Sequence, residues 1–233
     1  LKTYGKIGII GAMAEEIERL HQHVELERQY EKAGIVYYEG KLHGQPVIYC
    51  KSGVGKVNAA VCTQLLLSYG ADCVWFTGVA GALDPRLEVG DIVVSSSCVQ
   101  HDMDCSPLGF PKGVIPFHPN SEFKADPELV RLASEAGERL FPGRCLTGKI
   151  LSGDQFIASR ETVQYLHQQF EGACAEMEGA SVAQVCEMNE VPFIIIRSMS
   201  DKADGSAQVS FEEFTVLASD RSYQMIDDMI RHL

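Results

Sequence analysis

The sequence predicts an α/β fold built on one covered, largely parallel sheet, and three observations carry that prediction. Short apolar runs rich in Ile and Val alternate with segments of helical periodicity along the whole chain. Several of these runs are apolar throughout, such as Ile7-Gly8-Ile9-Ile10 and Phe193-Ile194-Ile195-Ile196, which is the pattern of strands covered on both faces. No repeat, low-complexity tract or linker divides the 233 residues, of which 45% are hydrophobic and 22% charged, so a single domain over 1–233 is expected.

Lys6 to Gly11 reads as a buried strand ending in Gly, and Ala14 to about Gln22 as a helix with Ile17 and Leu20 on one face and an acidic first turn. Tyr37 to Leu42 and Pro46 to Cys50 read as a hairpin joined through His43-Gly44. Ser52-Gly53-Val54-Gly55 opens a helix whose apolar face is taken as Val57, Ala60, Val61 and Leu65, stopped by Gly70. Cys73 to Thr77 is the next strand, expected to break into Gly78-Val79-Ala80-Gly81-Ala82. Asp91 to Ser96 is another, followed by a long Pro-, Gly- and His-rich loop from about Gln100 to Lys124. Asp126-Pro127-Glu128 is a strong helix start, with an N-cap, then Pro at the first position, then an acid. Leu146 to Ser152 is a strand, Ser159 to about Gln168 a helix, Cys174 to Glu176 a short strand and Gly179 to Asn189 a helix. Pro192 to Met199 is the last strand, and Ser210 with Glu213 is read as the capping box of a final amphipathic helix carrying Phe211, Phe214, Leu217, Met225 and Met229.

Composition excludes several classes. The net charge of −12, with no run of Lys or Arg, argues against nucleic acid as a partner. The eight cysteines are scattered without a C-x-x-C, so neither a zinc site nor a disulfide framework is expected, and buried thiols in a reducing cytoplasm are. No apolar stretch reaches the ~18–20 residues that span a bilayer, and no secretory leader pattern is visible. A cytoplasmic protein acting on a neutral or zwitterionic small molecule, without metal or cofactor, fits these limits.

The chemistry-bearing residues gather at the ends of strands, where ligands of α/β folds bind. Four strands end in loaded turns: Gly11-Ala12-Met13-Ala14-Glu15-Glu16, Gly78-Val79-Ala80-Gly81, Ser152-Gly153-Asp154-Gln155-Phe156-Ile157, and Arg197-Ser198-Met199-Ser200-Asp201. A fifth segment, Glu176-Met177-Glu178-Gly179, sits at a strand-to-helix junction. Each alone has a plainer reading. Ser200-Asp201 is either a general acid with a neighbouring hydroxyl, or a helix N-cap or surface ion pair after a core strand. Glu16 either activates a water or complements a helix dipole. Phe156 either stacks on a heterocycle or packs in the core. Glu176 and Glu178, two residues apart, are read as facing opposite sides of the backbone, so at most one is expected to face a given pocket and bind a vicinal diol. Arg197 either orients Glu178, touches a sugar or makes a structural ion pair. Neither G-x-G-x-x-G nor G-x-x-x-x-G-K-[ST] occurs, so no nucleotide-phosphate cradle is evident.

Taken together, these segments closely resemble the bacterial 5′-methylthioadenosine/S-adenosylhomocysteine nucleosidases of the nucleoside phosphorylase/uridine phosphorylase superfamily. The likeness rests on Lys6 to Met13, Lys51 to Val57, Gly90 to Val94, Ser152 to Ile157, Glu176-Met177-Glu178 and Ser200-Asp201, and extends over nearly the whole chain. It implies a three-layer fold with a twisted central mixed sheet flanked by helices, in a homodimer. It also implies hydrolysis of the N-glycosidic bond of methylthioadenosine and adenosylhomocysteine, to adenine and the 5-thioribose sugar, in methionine salvage, and of 5′-deoxyadenosine, to adenine and 5-deoxyribose. On this likeness Asp201 is the acid that protonates adenine N7, Ser200 orients it, and Glu16 deprotonates the attacking water. Glu178 and the Met177 backbone bind the ribose hydroxyls with Arg197 nearby, Phe156 stacks on adenine, and the Ile157 backbone reads the base edge. Met13, Val54 and Phe211 line the sugar and 5′-thio side. The partner subunit closes the pocket through its 103–118 loop, with Cys105, Leu108 and Pro116.

The chain departs from the family pattern at Val79, where several nucleosidases carry Ser, and at Cys105 and Leu108, which replace bulkier or aromatic residues. These departures bear on the preference between methylthioadenosine and adenosylhomocysteine. The competing activities are a futalosine or aminodeoxyfutalosine hydrolase and a phosphorolytic relative, which would need an arginine cluster beyond Arg197 and Arg86. A silent nucleoside sensor would be marked by loss of Glu16 or Asp201, and both are present.

Overall fold

The computed structural model describes residues 3–203 and 207–233. Its elements are β1 (Ile7–Gly11), α1 (Ala14–His23), β2 (Glu25–Lys32), β3 (Ile35–Leu42), β4 (Gln45–Lys51), α2 (Lys56–Ser68), β5 (Cys73–Ala82) and β6 (Ile92–Gln100). They continue with β7 (Glu122–Lys124), α3 (Pro127–Leu140), β8 (Cys145–Ser152), α4 (Arg160–Phe170), β9 (Gly172–Glu176), α5 (Gly179–Met188), β10 (Phe193–Asp201) and α6 (Ala207–Arg231).

The sheet is mixed rather than largely parallel. β10, β5, β1 and β4 form one parallel group, and β6, β8 and β9 a second. β10–β6 and β5–β9 join the two groups antiparallel. The pairings therefore close a ring, β10–β6–β8–β9–β5–β10, from which β1, β4, β3 and β2 extend as an open sheet. Closure depends on β5 being long. It does not break at Gly78: it runs on to Ala82, and its last two residues pair Gly81 with Ala175 and Ala82 with Cys174. The strand ends meet because the ring folds them together, not because they share one parallel edge.

Caps explain the well-read helices. Asp126 accepts the N–H groups of Glu128 and Leu129, and Ser159 that of Thr162. One strand went unread, and two further expectations fail. β2 lies in a stretch that carried no strand signal; it is an exposed, charged edge strand, where apolar alternation is not needed. α2 buries Ala59, Cys62, Thr63 and Leu66, while Val57 and Val61 face outward. Apolar residues are spread round the helix rather than gathered in one stripe, so periodicity alone chose the wrong face. α6 already begins at Ala207, which places Ser210 and Glu213 within the helix and removes the capping box. Met225, Ile226 and Met229 of α6 enter the core, whereas Leu217 is exposed. Of the cysteines, Cys105 and Cys145 are half-buried and the other six buried, all as free thiols. Among the described residues no helix is long and apolar enough to cross a membrane, and no cluster of metal-ligating side chains occurs.

Candidate active site

The five chemistry-bearing segments meet around one cavity of about 320 Å³. Glu16 enters it from the first turn of α1. Gly11, at the end of β1, makes room, since a Cβ there would lie 2.9 Å from the Glu16 Cβ and 2.7 Å from Ile17. The buried Glu16 carboxylate accepts the N–H groups of Ala12, of Met13 at 2.9 Å and of Val79 at 3.1 Å. Burial raises its pKa; the Arg197 charge and these N–H groups pull the other way. The outcome is a carboxylate held in fixed orientation with its basicity raised, as a general base requires.

Glu176 and Glu178 both line the cavity, contrary to the one-sided expectation. Residues two apart in an extended strand share a face rather than oppose each other, so the expectation had the wrong geometry; β9 ends at Glu176, and Glu178, at ψ −37°, begins the turn into α5. Glu176 receives the Ser152 hydroxyl, the Gly179 N–H at 2.8 Å and the Arg197 Nη2, so it anchors the N-terminus of α5. Glu178 accepts the Gly55 N–H at 2.9 Å. Burial, with Glu176 beside it, pushes the Glu178 carboxyl up to about 8, against the pull of Arg197.

Arg197 does not reach the cavity. It is 1% exposed, with its guanidinium 4.0 Å from the Phe76 ring centroid, on Glu176 and 3.8 Å from Glu178. Its role here is to balance buried carboxylates, and a direct contact with the sugar is not supported.

Asp201 ends β10, where the ladder with β5 shifts register between Met199 and Asp201. Such a bulge re-aims side chains at a strand end. Asp201 Oδ2 accepts the Ser200 hydroxyl at 2.8 Å, and Oδ1 accepts the Ala203 N–H at 2.7 Å. The Ala80 carbonyl offers the Ser200 hydroxyl a second acceptor at 3.4 Å.

Apolar groups complete the walls. Met13, Val54, Val79, Ile157 and Met177 line the cavity, and at its mouth Phe156 and Phe211 meet edge to face with ring centroids 5.6 Å apart. Phe156 is half exposed, which leaves a ring face free to stack. Cys105, Leu108 and Pro116 lie away from this chain's own cavity, and Leu108 is 73% exposed. Sequence reasoning missed Ser152 as the partner of Glu176 and the Gly55 N–H as the partner of Glu178. The Gly53-x-Gly55 spacing was the available signal.

Residues 6–231 match the family model of the phosphorylase superfamily. The chain is 42% identical over 230 residues to the 5′-methylthioadenosine/S-adenosylhomocysteine nucleosidase of Chromohalobacter salexigens, covering 98% of this chain and 97% of that one. The Neisseria meningitidis nucleosidase of the same name, solved in complex with methylthio-immucillin-A, superposes with a TM-score of 0.93 at 38% identity, over 98% and 100% of the two chains. A futalosine hydrolase of Helicobacter pylori also superposes at 0.93, with 36% identity over 98% of each chain. With the matched range taking in all five segments of the cavity, the chain belongs to the 5′-methylthioadenosine/S-adenosylhomocysteine nucleosidase family of the phosphorylase superfamily.

Proposed function

We propose that the protein hydrolyses the N-glycosidic bond of 5′-methylthioadenosine and S-adenosylhomocysteine, releasing adenine and the 5-thioribose sugar. The observation that carries this reading is the charge of the cavity. Glu16, Glu176, Glu178 and Asp201 line it, and among the described residues no Lys or Arg does. Phosphorolysis would bring a phosphate anion into that field without a cation to receive it, because Arg197 is already engaged by Glu176 and Glu178. Water carries no such penalty. An oxocarbenium-like sugar is favoured by the same carboxyl groups.

Asp201 delivers a proton to adenine N7, and the carboxylate left behind is received by the Ala203 N–H and the Ser200 hydroxyl. Glu16 takes a proton from the water that attacks the sugar. Each such transfer is typically worth ~10²–10⁴-fold. Glu178 and the Met177 backbone hold the ribose hydroxyls, Phe156 stacks on the base, the Ile157 backbone reads its edge, and Met13, Val54 and Phe211 cover the 5′-thio group. Val79 offers Glu16 its N–H but brings no side-chain hydroxyl to the sugar. The working unit is a homodimer in which the partner's 103–118 loop, with Cys105, Leu108 and Pro116, closes the cavity.

The experiment is a product analysis with methylthioadenosine, adenosylhomocysteine, inosine and futalosine, with and without phosphate. Free adenine in the absence of phosphate is expected, with turnover abolished in Asp201→Asn and blocked in Glu16→Gln. Ribose-1-phosphate products, or no turnover, would sink the reading, and near-normal turnover in Asp201→Asn would remove Asp201 as the acid. The likeness to the futalosine hydrolase supports one second reading, in which futalosine is the preferred substrate, and the same assay ranks it.

A further inference from the structure

Behind the walls of the cavity lies an ionic cluster that none of this chemistry uses. Asp102, two residues beyond β6, points its oxygens at two different segments. Oδ1 accepts Lys56 Nζ at 2.7 Å, and Oδ2 accepts the Asp154 N–H at 2.9 Å. Asp154 Oδ1 in turn accepts the Lys56 N–H at 2.8 Å, which closes a ring of three residues. Lys56 is fastened further: Nζ donates to Gln100 at 3.2 Å, and its carbonyl accepts the Ser181 hydroxyl of α5 at 2.8 Å. The pair is largely sequestered, with side chains 19% and 16% exposed, so it is not an ordinary surface salt bridge. Although burial opposes it, the Lys56 ammonium and the Asp154 N–H hold the Asp102 carboxyl below its usual range.

The ring's neighbours give it meaning. Lys56 follows Gly55, whose N–H holds Glu178, and stands two residues from Val54 in the cavity wall. Asp154 immediately precedes Gln155, Phe156 and Ile157, which line the cavity. Asp102 opens the loop that carries Cys105, Leu108 and Pro116. The packing is close enough to require glycine at 153, where a Cβ would lie 2.5 Å from His101 Nε2 and 3.1 Å from Asp102 Cγ.

We propose that Asp102 is a positioning residue for substrate: with Lys56 it sets the spacing between the sugar-side turn at 53–56 and the base-side turn at 153–157, and ties both to the partner-facing loop. This rests on the nucleosidase reading above. Glu16 and Asp201 hang from α1 and β10, outside the ring, so its loss loosens the grip on substrate more than it slows the chemistry. A substrate that must order both turns on binding loses affinity.

The test uses Asp102→Ala, Asp102→Asn and Lys56→Met with the Asp102→Ala/Lys56→Met double variant, read by kinetics on methylthioadenosine and by amide hydrogen exchange. Losing a hydrogen bond to a charged group is expected to raise KM roughly tenfold in Asp102→Ala, with kcat within about threefold. Asp102→Asn keeps an acceptor for the Asp154 N–H and should fall between it and the wild type. The double variant should cost less than the sum of the singles. Exchange at the Asp154 and Lys56 amides should speed up. Unchanged KM with unchanged exchange overturns the proposal, as does a drop in kcat and Tm with KM intact, which is the mark of a merely structural role. If the wild type itself releases no adenine, the functional reading has failed instead, and the exchange data still decide whether the ring holds the two turns.

Discussion

Three carboxyl groups, Glu16, Glu176 and Glu178, surround the single guanidinium of Arg197, and the charges do not balance. The fold resolves the excess by protonation, with Glu178 raised to about 8 by burial and by Glu176. Between the ordinary carboxylate range and that value the folded protein holds a proton that the unfolded chain has lost. The stability this contributes is present in full at low pH and is lost as pH rises through about 8. Glu16, also raised by burial, acts in the same direction. The Tm of the ligand-free protein is therefore expected to fall between about pH 5 and 8, and Glu178→Gln should flatten that fall. For a chain of this size, each kcal/mol recovered at the alkaline end is worth about 2–4 °C. A melting series with the same slope in both proteins would show that Glu178 does not carry the extra proton. The same cluster suits the reaction, because positive charge developing on the sugar meets carboxyl groups and no free cation among the described lining residues.

At the scale of elements, β5 decides whether these groups can meet. Gly78 lies between Glu16 and Arg197, and a Cβ there would overlap Arg197 Nη1 and come within 2.5 Å of Glu16 Oε1. Gly78→Ala should lower kcat/KM by roughly 5- to 150-fold, because overpacking of about 1–3 kcal/mol falls directly on the base and its counter-charge. Wild-type kinetics in that variant would mean that the strand gives way at little cost. The same strand shows where sequence reading stops. Gly78-x-x-Gly81 has the composition of a turn, and pairing with β10 along its length and with β9 at its end, both about a hundred residues further on, keeps it a strand. β1 and β10 were legible because they are apolar and covered on both faces, and α3 because its cap stands beside Pro127. The cavity residues were legible because they cluster at strand ends within short motifs. Asp102 and Lys56 lie 46 positions apart, and no local pattern announces their contact.

For the whole molecule, the question is what covers the apolar surface that the fold leaves outside. Val57 is 75% exposed on α2, one turn from Val61, while Leu108 at 73% and Phe117 at 95% stand out from the 101–121 loop. These are the side chains a monomer would be expected to hide, and α2 adjoins Val54 at the cavity mouth. A second copy of the chain is the proposed cover. Each copy carries a net charge of −12, so long-range repulsion opposes association and the contact has to draw its stability from apolar burial. A carboxylate placed in that contact would be buried without a partner. Val57→Asp is therefore expected to dissociate the proposed dimer and, if the partner loop closes the cavity, to lower specific activity together with it. Sedimentation velocity across a dilution series, with adenine release measured at each concentration, checks both halves. A wild type that sediments as a monomer at full activity would leave the 103–118 loop without a place in the site. A Val57→Asp protein that stays dimeric would move the contact elsewhere on the surface. Loss of activity in step with the dimer ties the closure of each cavity to the neighbouring chain.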